Sequence, residues 1–292
     1  MTTEDRLEVL STTLLDEHRP LVNELKELAG SLRQEFGWHY LLDLVWIISA
    51  LEMEGLKSVL DAGAGVGVLQ WYLASKGVDV LSVDRGSRAH LPIHFRNRYR
   101  VEGMHPEDLG SPLEAVFGAF VQGQGINQKV RAFGRGLLSS LQPRQIDPEA
   151  GTVTLYHQDL RTLTDIPDDS IDAVVAVSSL EHNMPDQLQV VVAELMRVLK
   201  PGGRLVATLA TSGGEDRYHK ASSGWTYSEA SMRRYFGLDP ETETNYADYP
   251  ALFEAVQNSD ELREGLAKFY FRTGEGGMPW GNWDPQYVPV GV

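Results

Sequence analysis

Cysteine is absent from this 292-residue chain, which excludes disulfides and thiolate chemistry and suits a reducing, cytoplasmic setting. No apolar run reaches the roughly eighteen residues a membrane helix needs, and no charged-then-apolar leader is found at the start. The expectation is therefore a cytoplasmic protein with no membrane partner. Basic side chains are scarce: 26 Lys and Arg stand against 41 Asp and Glu, a net charge of −15. Such a balance argues against a nucleic-acid backbone as the main partner. No His, Asp and Glu set has metal-ligand spacing. Glu181-His182 lacks further ligands at helical offsets, so no metal is expected. A P-loop, a nucleophile elbow and internal repeats are missing as well.

What is there centres on Val59-Leu60-Asp61-Ala62-Gly63-Ala64-Gly65-Val66-Gly67. An apolar run ends in an acid and then in glycines at alternate positions, and the next residues, Val68 to Ala74, have helical apolar spacing. This predicts a strand turned tightly into a helix, with glycines that admit positive φ and a close ligand. A second apolar run, Val80-Leu81-Ser82-Val83, ends in Asp84, placed to accept hydrogen bonds from a ribose diol. The pair predicts a nucleoside-cofactor site. Its spacing is G-x-G-x-G rather than the dinucleotide G-x-G-x-x-G. Asp61 beside it would repel a pyrophosphate but attract a cofactor with a cationic amine and a sulfonium.

Here the chain resembles the class I S-adenosylmethionine-dependent methyltransferases, whose first motif is an apolar strand followed by D/E-x-G-x-G-x-G. Three further stretches fall in the family's order: Asp159-Leu160; Ile166-Pro167-Asp168-Asp169-Ser170 leading into Ile171 to Val175; and Arg197 to Gly203. The resemblance covers about residues 56 to 210. It implies a doubly wound, mainly parallel seven-stranded α/β sheet and S-adenosylmethionine as cofactor. The cofactor-binding residues it implies are Asp61, Gly63, Ala64, Gly65, Gly67, Asp84, Arg85, Asp159, Leu160 and Ser178. By the same resemblance Asp159 accepts from the adenine amine and the Leu160 amide donates to a ring nitrogen. A carboxylate is the natural partner of an exocyclic amine.

Around this core, residues 4 to 35 read as two helices, with Leu21, Leu25, Leu28 and Leu32 on one face. They form a cap, or alternatively a homodimer contact. Gly37 to Ile48 is apolar nearly all round and therefore buried if helical. His39 and Tyr40 at its start either border the cofactor and acceptor pocket or simply pack. The domain expectation is a helical cap over residues 1–50 and a methyltransferase domain over 51–292. Asp84 and Asp159 lie 75 positions apart, too far for a plain crossover, so a helical insertion is expected at about residues 88–150. Between Arg85 and Ala150, nine Lys and Arg against six Asp and Glu leave +3 locally and −18 elsewhere. The insertion reads as a lid, and its Arg88 and neighbouring cations as a border for an anionic acceptor, or as a solvated elaboration.

Further on, His157 is expected to pack within the third strand. The fourth strand opens onto Ser178 to Asn183, where ligands bind in open α/β sheets. His182 is a candidate base with Glu181 beside it, because imidazole exchanges protons near neutral pH; cofactor contact or loop structure is the alternative role. A helix over Gln187 to Leu199 is expected to stop at Pro201-Gly202-Gly203, with strand five from Arg204 to Ala210. Ser228 reads as a helix cap. Phe269 to Thr273 and Tyr287 to Val290 read as last strands, joined by a loop holding Trp280 and Trp283, aromatics for sugar stacking or for packing. The function expected is methyl transfer to oxygen or nitrogen of a small-molecule acceptor, a saccharide or another natural product. The rival readings are a nicotinamide-dependent oxidoreductase and a noncatalytic S-adenosylmethionine-binding protein.

Overall fold

The computed structural model describes residues 5–116, 134, 136, 138–139, 143–267 and 282–292. The chain divides into two compact units, Leu56–Leu163 and Met1–Gly55 with Thr164–Val292.

In the first unit, strands β2 (Ser58–Ala62), β3 (Asp79–Asp84), β4 (Arg100–Gly103) and β5 (Thr152–His157) stand in the order β2-β3-β5-β4, all parallel. Val59, Leu60, Val83 and Val153 are fully buried, as β-branched and leucine runs in a parallel sheet must be. The register places Asp61 beside Ser82 and Asp84 beside His157, so Asp61 lies two positions short of Asp84 across the strand pair. Helix α4 (Val68–Ser75) is buried from Val68 to Ala74 and packs on β3 and β5. Its Trp71 stacks on Phe95 with ring centroids 4.6 Å apart. Each such side chain removed from water contributes roughly 1.5–3 kcal/mol.

The expected insertion is partly sheet. After the short helix α5 (Ile93–Arg96), β4 pairs with β5 through Arg100↔Thr152 and Val101↔Val153, covering amides that an edge strand would leave open. Residues 112–116 are helical, and much of the rest of the expected lid falls outside the described residues.

The second unit orders its strands β10-β1-β11-β7-β6. They are β1 (Arg6–Val9), β6 (Ile171–Val177), β7 (Leu199–Thr211), β10 (Glu243–Thr244) and β11 (Val288–Gly291). β6 and β7 run parallel, whereas β11 is antiparallel to both β7 and β1. The expected antiparallel finish is thus present over Val288–Gly291, while Phe269 to Thr273 and Trp280 lie outside the described residues. β8 (Arg217–His219) and β9 (Gly224–Thr226) form a separate hairpin. The nine strands in the two orders, among the described residues, are six of the expected seven together with β1, β4 and β10; the expected strand Phe269 to Thr273 lies outside the described residues.

Two boundaries differ from expectation. Residues 6–9 form a strand, not a helix: Leu7 and Val9 alternate with polar Arg6 and Glu8, a period of two that β11 rewards by pairing. Helices α1 (Leu14–Glu17) and α2 (Arg19–Leu32) follow, with Pro20 in the first turn of α2, where its missing N–H costs nothing. β7 starts at Leu199 and runs through Pro201 to Gly203. The register shift between Ile171 and Ala173 absorbs the turn, and a Cβ on Gly203 would lie 2.7 Å from the Asp172 carbonyl oxygen. Helix α3 (Tyr40–Ala50) is buried from Leu41 to Ile48, as its all-round apolarity requires, and lies on β6, β7 and β11. Helix α6 (Pro185–Val198) buries Leu188, Val191, Leu195 and Val198.

Candidate functional site

The predicted site residues fall into two groups, one in each unit. In the unit Leu56–Leu163, the chain leaves β2 with the amides of Gly63 and Ala64 both donating to the Val83 carbonyl, at 2.9 and 3.1 Å. Gly63 and Gly65 have φ of 75° and 50°, a region L side chains avoid. The loop then closes on the neighbouring strand: the Gly65 amide donates to Asp84 Oδ2 at 2.8 Å and the Gly86 amide to Oδ1 at 2.5 Å. Asp84 keeps free lone pairs on both oxygens beyond these bonds. A Cβ on Gly65 would meet only Asp84 Oδ2, at 4.0 Å, so the space over the loop is open.

Beneath the loop lies a support that the sequence pattern did not single out. Gln70 donates to the carbonyls of Ala64, Gly65 and Gly67, and its own oxygen accepts from Ser82 Oγ at 2.7 Å. Arg88, expected at an acceptor border, is buried here. Its guanidinium donates to the carbonyls of Gly65, Ser82 and Tyr156 and to the Ser82 hydroxyl. Asp61 is 2% exposed, and its carboxyl is pushed up to about 7. Burial is the main cause; Asp84 adds to it and the Arg88 charge opposes it. The remaining members are more open. Arg85 is exposed, and its carbonyl accepts from His157 Nε2 at 3.0 Å. His157 is exposed at the strand end, contrary to expectation, because β5 finishes there and its outward position has no covering layer. The Asp159 carboxylate is held by Arg161 at 2.9 and 2.6 Å, which lowers its proton affinity. Leu160 beside it is half-buried.

Other cations of the insertion are tied to carbonyls too. Arg96 donates to those of Leu91, Gly110 and Ala89, and Arg100 to those of Ala150 and Pro148. Arg88 and Arg96 are therefore framework, buried with most of their donors spent on the protein itself, whereas Arg100 is exposed and spends two of its five N–H donors on carbonyls.

In the other unit, His39 and Asp43 sit one turn apart at the start of α3, with Nδ1 donating to Oδ2 at 2.7 Å. Ser178 ends β6 in a left-handed conformation, φ 42°, and its hydroxyl donates to the same Asp43 oxygen at 3.3 Å. A non-glycine residue in that region marks a strained site. In the tautomer that donates from Nδ1–H to Asp43, His39 Nε2 is an acceptor, and the Tyr287 hydroxyl lies 3.4 Å from it. Burial pushes the Tyr287 phenol up. Tyr40 is 37% exposed, and Trp38, Tyr40 and Tyr287 meet the His39 ring edge-on. Trp283 packs on Trp38 and donates to the Gln257 carbonyl.

Glu181 and His182 occupy one turn of 3₁₀ helix, Leu180–His182, after Ser178. Glu181 is buried, and burial raises its carboxyl above the usual range. His182 is exposed, and its Nδ1 donates to the Ser223 carbonyl at 3.1 Å, which leaves Nε2 as a proton acceptor. Gly224 packs on this pair: a Cβ there would lie 3.2 Å from Glu181 Cγ and 3.4 Å from His182 Nδ1. Ser228 accepts the Ser231 amide as the cap of the helix Glu229–Phe236. Sequence reasoning had passed over Asp43, Tyr287, Gln70 and Ser82. Only the first had a visible signal, its i, i+4 spacing from His39. Among the described residues no three His, Asp or Glu side chains converge on a metal position.

Residues 132–207 match the family model described as a methyltransferase domain. That span holds Asp159, Ser178, Glu181 and His182 but not the glycine loop. No curated protein matches the chain. Among solved structures, similar folds include the [4+2]-cyclase SpnF (14% identity, 98% of this chain and 97% of that one, TM-score 0.47). Another is a Burkholderia thailandensis 1,6-didemethyltoxoflavin-N1-methyltransferase with bound S-adenosylhomocysteine (16%, 76% and 76%, 0.41). A third is a Leishmania major SAM-dependent methyltransferase (13%, 75% and 71%, 0.43). Likenesses this distant carry no assignment of substrate.

Proposed function

We infer that this chain, a class I S-adenosylmethionine-dependent methyltransferase by its motif order, fold and family match, methylates an oxygen or nitrogen of a small molecule. A saccharide or another natural product is the acceptor we propose. The observation that carries the reading is the closure of the glycine loop on Asp84, with open space above Gly65 and a buried acid, Asp61, beneath. These residues fit the cofactor. Asp84 has lone pairs for a ribose diol, and the Arg88 charge only partly offsets the burial of the Asp61 carboxyl, which leaves it suited to a further cation.

S-adenosylmethionine, when bound, supplies a methyl group on a sulfonium leaving group. The protein then has to bind, orient and exclude water. Asp84 would hold the ribose, and Asp159 and Leu160 would hold the adenine edge, with Asp159 using the lone pairs Arg161 leaves. Asp61 offsets cationic charge near the loop. His182 takes the acceptor proton at Nε2, its tautomer set by the Ser223 carbonyl.

Calorimetric titration with S-adenosylmethionine, S-adenosylhomocysteine and NADH tests the cofactor site on protein stripped of copurified ligand. Micromolar binding of both sulfur nucleosides, weakened at least tenfold by Asp84→Ala, with no heat for NADH, is expected. NADH binding, or no binding of any of the three, would overturn the reading. Turnover, read as S-adenosylhomocysteine release across an acceptor panel, separates an enzyme from a noncatalytic binder.

A further inference from the structure

The cluster at the start of α3 leaves two buried carboxyl oxygens without partners, beside one unpartnered donor, the indole N–H of Trp38 against the His39 ring. Asp43 is fully buried; its Oδ2 accepts from His39 and Ser178, while Oδ1 accepts from no group. Glu181 is 4% exposed, and its Oε2 is likewise without a partner. Apart from the indole N–H groups of Trp38 and Trp225, the donors named around them are committed: Ser178 Oγ and His39 Nδ1 to Asp43, the Tyr287 hydroxyl toward His39 Nε2, and His182 Nδ1 to Ser223. The two carboxyls belong to one electrostatic group, since Glu181 is raised by Asp43 and lowered by His39 and His182.

A buried polar atom left unpaired costs about 1–3 kcal/mol. Two in one cluster call for an occupant, and packing does not provide one. We propose that Asp43 and Glu181 are recognition residues for a ligand that presents hydrogen-bond donors, hydroxyls or a protonated amine, and that the cluster prefers such ligands to carboxylates and phosphates. Exposed Tyr40 and His182 flank the cluster and give it an edge on solvent. The inference deepens the proposed function and rests on it in one respect: the ligand held there is the methyl acceptor. It selects polyols and amines over anionic acceptors.

Saturation-transfer NMR on the intact protein tests it with two matched pairs of probes, glucosamine against glucuronate and tyramine against 4-hydroxyphenylacetate, with and without S-adenosylhomocysteine. At least one amine is expected to bind tenfold or more tighter than its carboxylate partner. Glu181→Gln, which keeps the shape of the side chain, is expected to erase that preference; Asp43→Asn provides a second, independent variant. Equal or tighter binding of a carboxylate, a preference that survives both variants, or binding of none of the four would overturn the proposal. Failure of S-adenosylhomocysteine to bind while the amine preference holds would instead remove the methyltransferase reading and leave the recognition site standing.

Discussion

Asp61 is the residue whose chemistry depends most on what surrounds it. An aspartate in an unfolded chain titrates near about 3.9, whereas buried Asp61 titrates at about 7. Between those values the native state holds a proton that the unfolded state has lost, so stability contributed here is present below pH 4 and falls as pH rises through 7. The effect is no more than about 4 kcal/mol. Denaturant titrations of the cofactor-free protein between pH 4 and 8 should show this decline, and Asp61→Asn should flatten it. A cationic ligand beside the loop lowers that carboxyl, so binding of S-adenosylmethionine should release protons at pH 6 and tighten toward pH 8. Calorimetry in two buffers of different ionisation heat checks the proton count. His182 supplies the second prediction at this scale. His182→Gln should lower kcat by roughly 10²–10⁴-fold for a hydroxyl acceptor with little change in KM. If kcat is unchanged, the histidine is a loop residue and not the base.

At the level of elements, the cofactor loop is positioned by a side chain from the segment after β3. Arg88 reaches back to carbonyls on the loop, β3 and β5. Arg88→Met removes those donors and leaves buried carbonyls unpaired, so a loss of about 2–5 kcal/mol of stability is expected, together with weaker S-adenosylmethionine binding. Chemical denaturation and calorimetry on the same variant measure both. β11 depends on close approach in a similar way. A Cβ on Gly291 would sit 2.4 Å from the Trp46 ring of α3, so Gly291→Ala should destabilise by about 1–3 kcal/mol through overpacking. Its melting temperature should fall without any change in cofactor affinity. Helix α2 is tied to the helix Asp260–Glu264 by Glu261, which accepts from Arg19 at 2.7 and 2.9 Å and from Lys26 at 2.6 Å. These contacts hold the Glu261 carboxyl down to about 2. Stability from this exposed network is therefore present above the usual glutamate range and lost as pH falls toward 2, and solvent screening limits it to about 1 kcal/mol or less.

For the whole molecule, charge and topology set the limits. With a net charge of −15, duplex DNA labelled for anisotropy should show no binding at moderate salt, since phosphate contacts need a basic surface. Much of the fold was legible without coordinates. Apolar runs ending in Asp61 and Asp84, glycines at alternate positions and the all-apolar stretch of α3 are local patterns, and each dictates its element through periodicity or φ. By itself the sequence thus determined the α/β class, the order of the motif-bearing strands and the acids at their ends. It could not show that residues 6–9 would be a strand, because a four-residue alternation acquires meaning only when β11 lies alongside it. Nor did it separate buried framework arginines from exposed ones: Arg88, Arg96 and Arg100 look alike in a charge count, and only burial and the carbonyls that fold around them tell them apart. The pairing of Asp43 with His39 and Ser178, and the orphaned oxygens it leaves beside Glu181, likewise exist only once α3 is packed against β6. Burial turns an ordinary carboxylate into a demand for a partner, and burial is a property of tertiary structure alone.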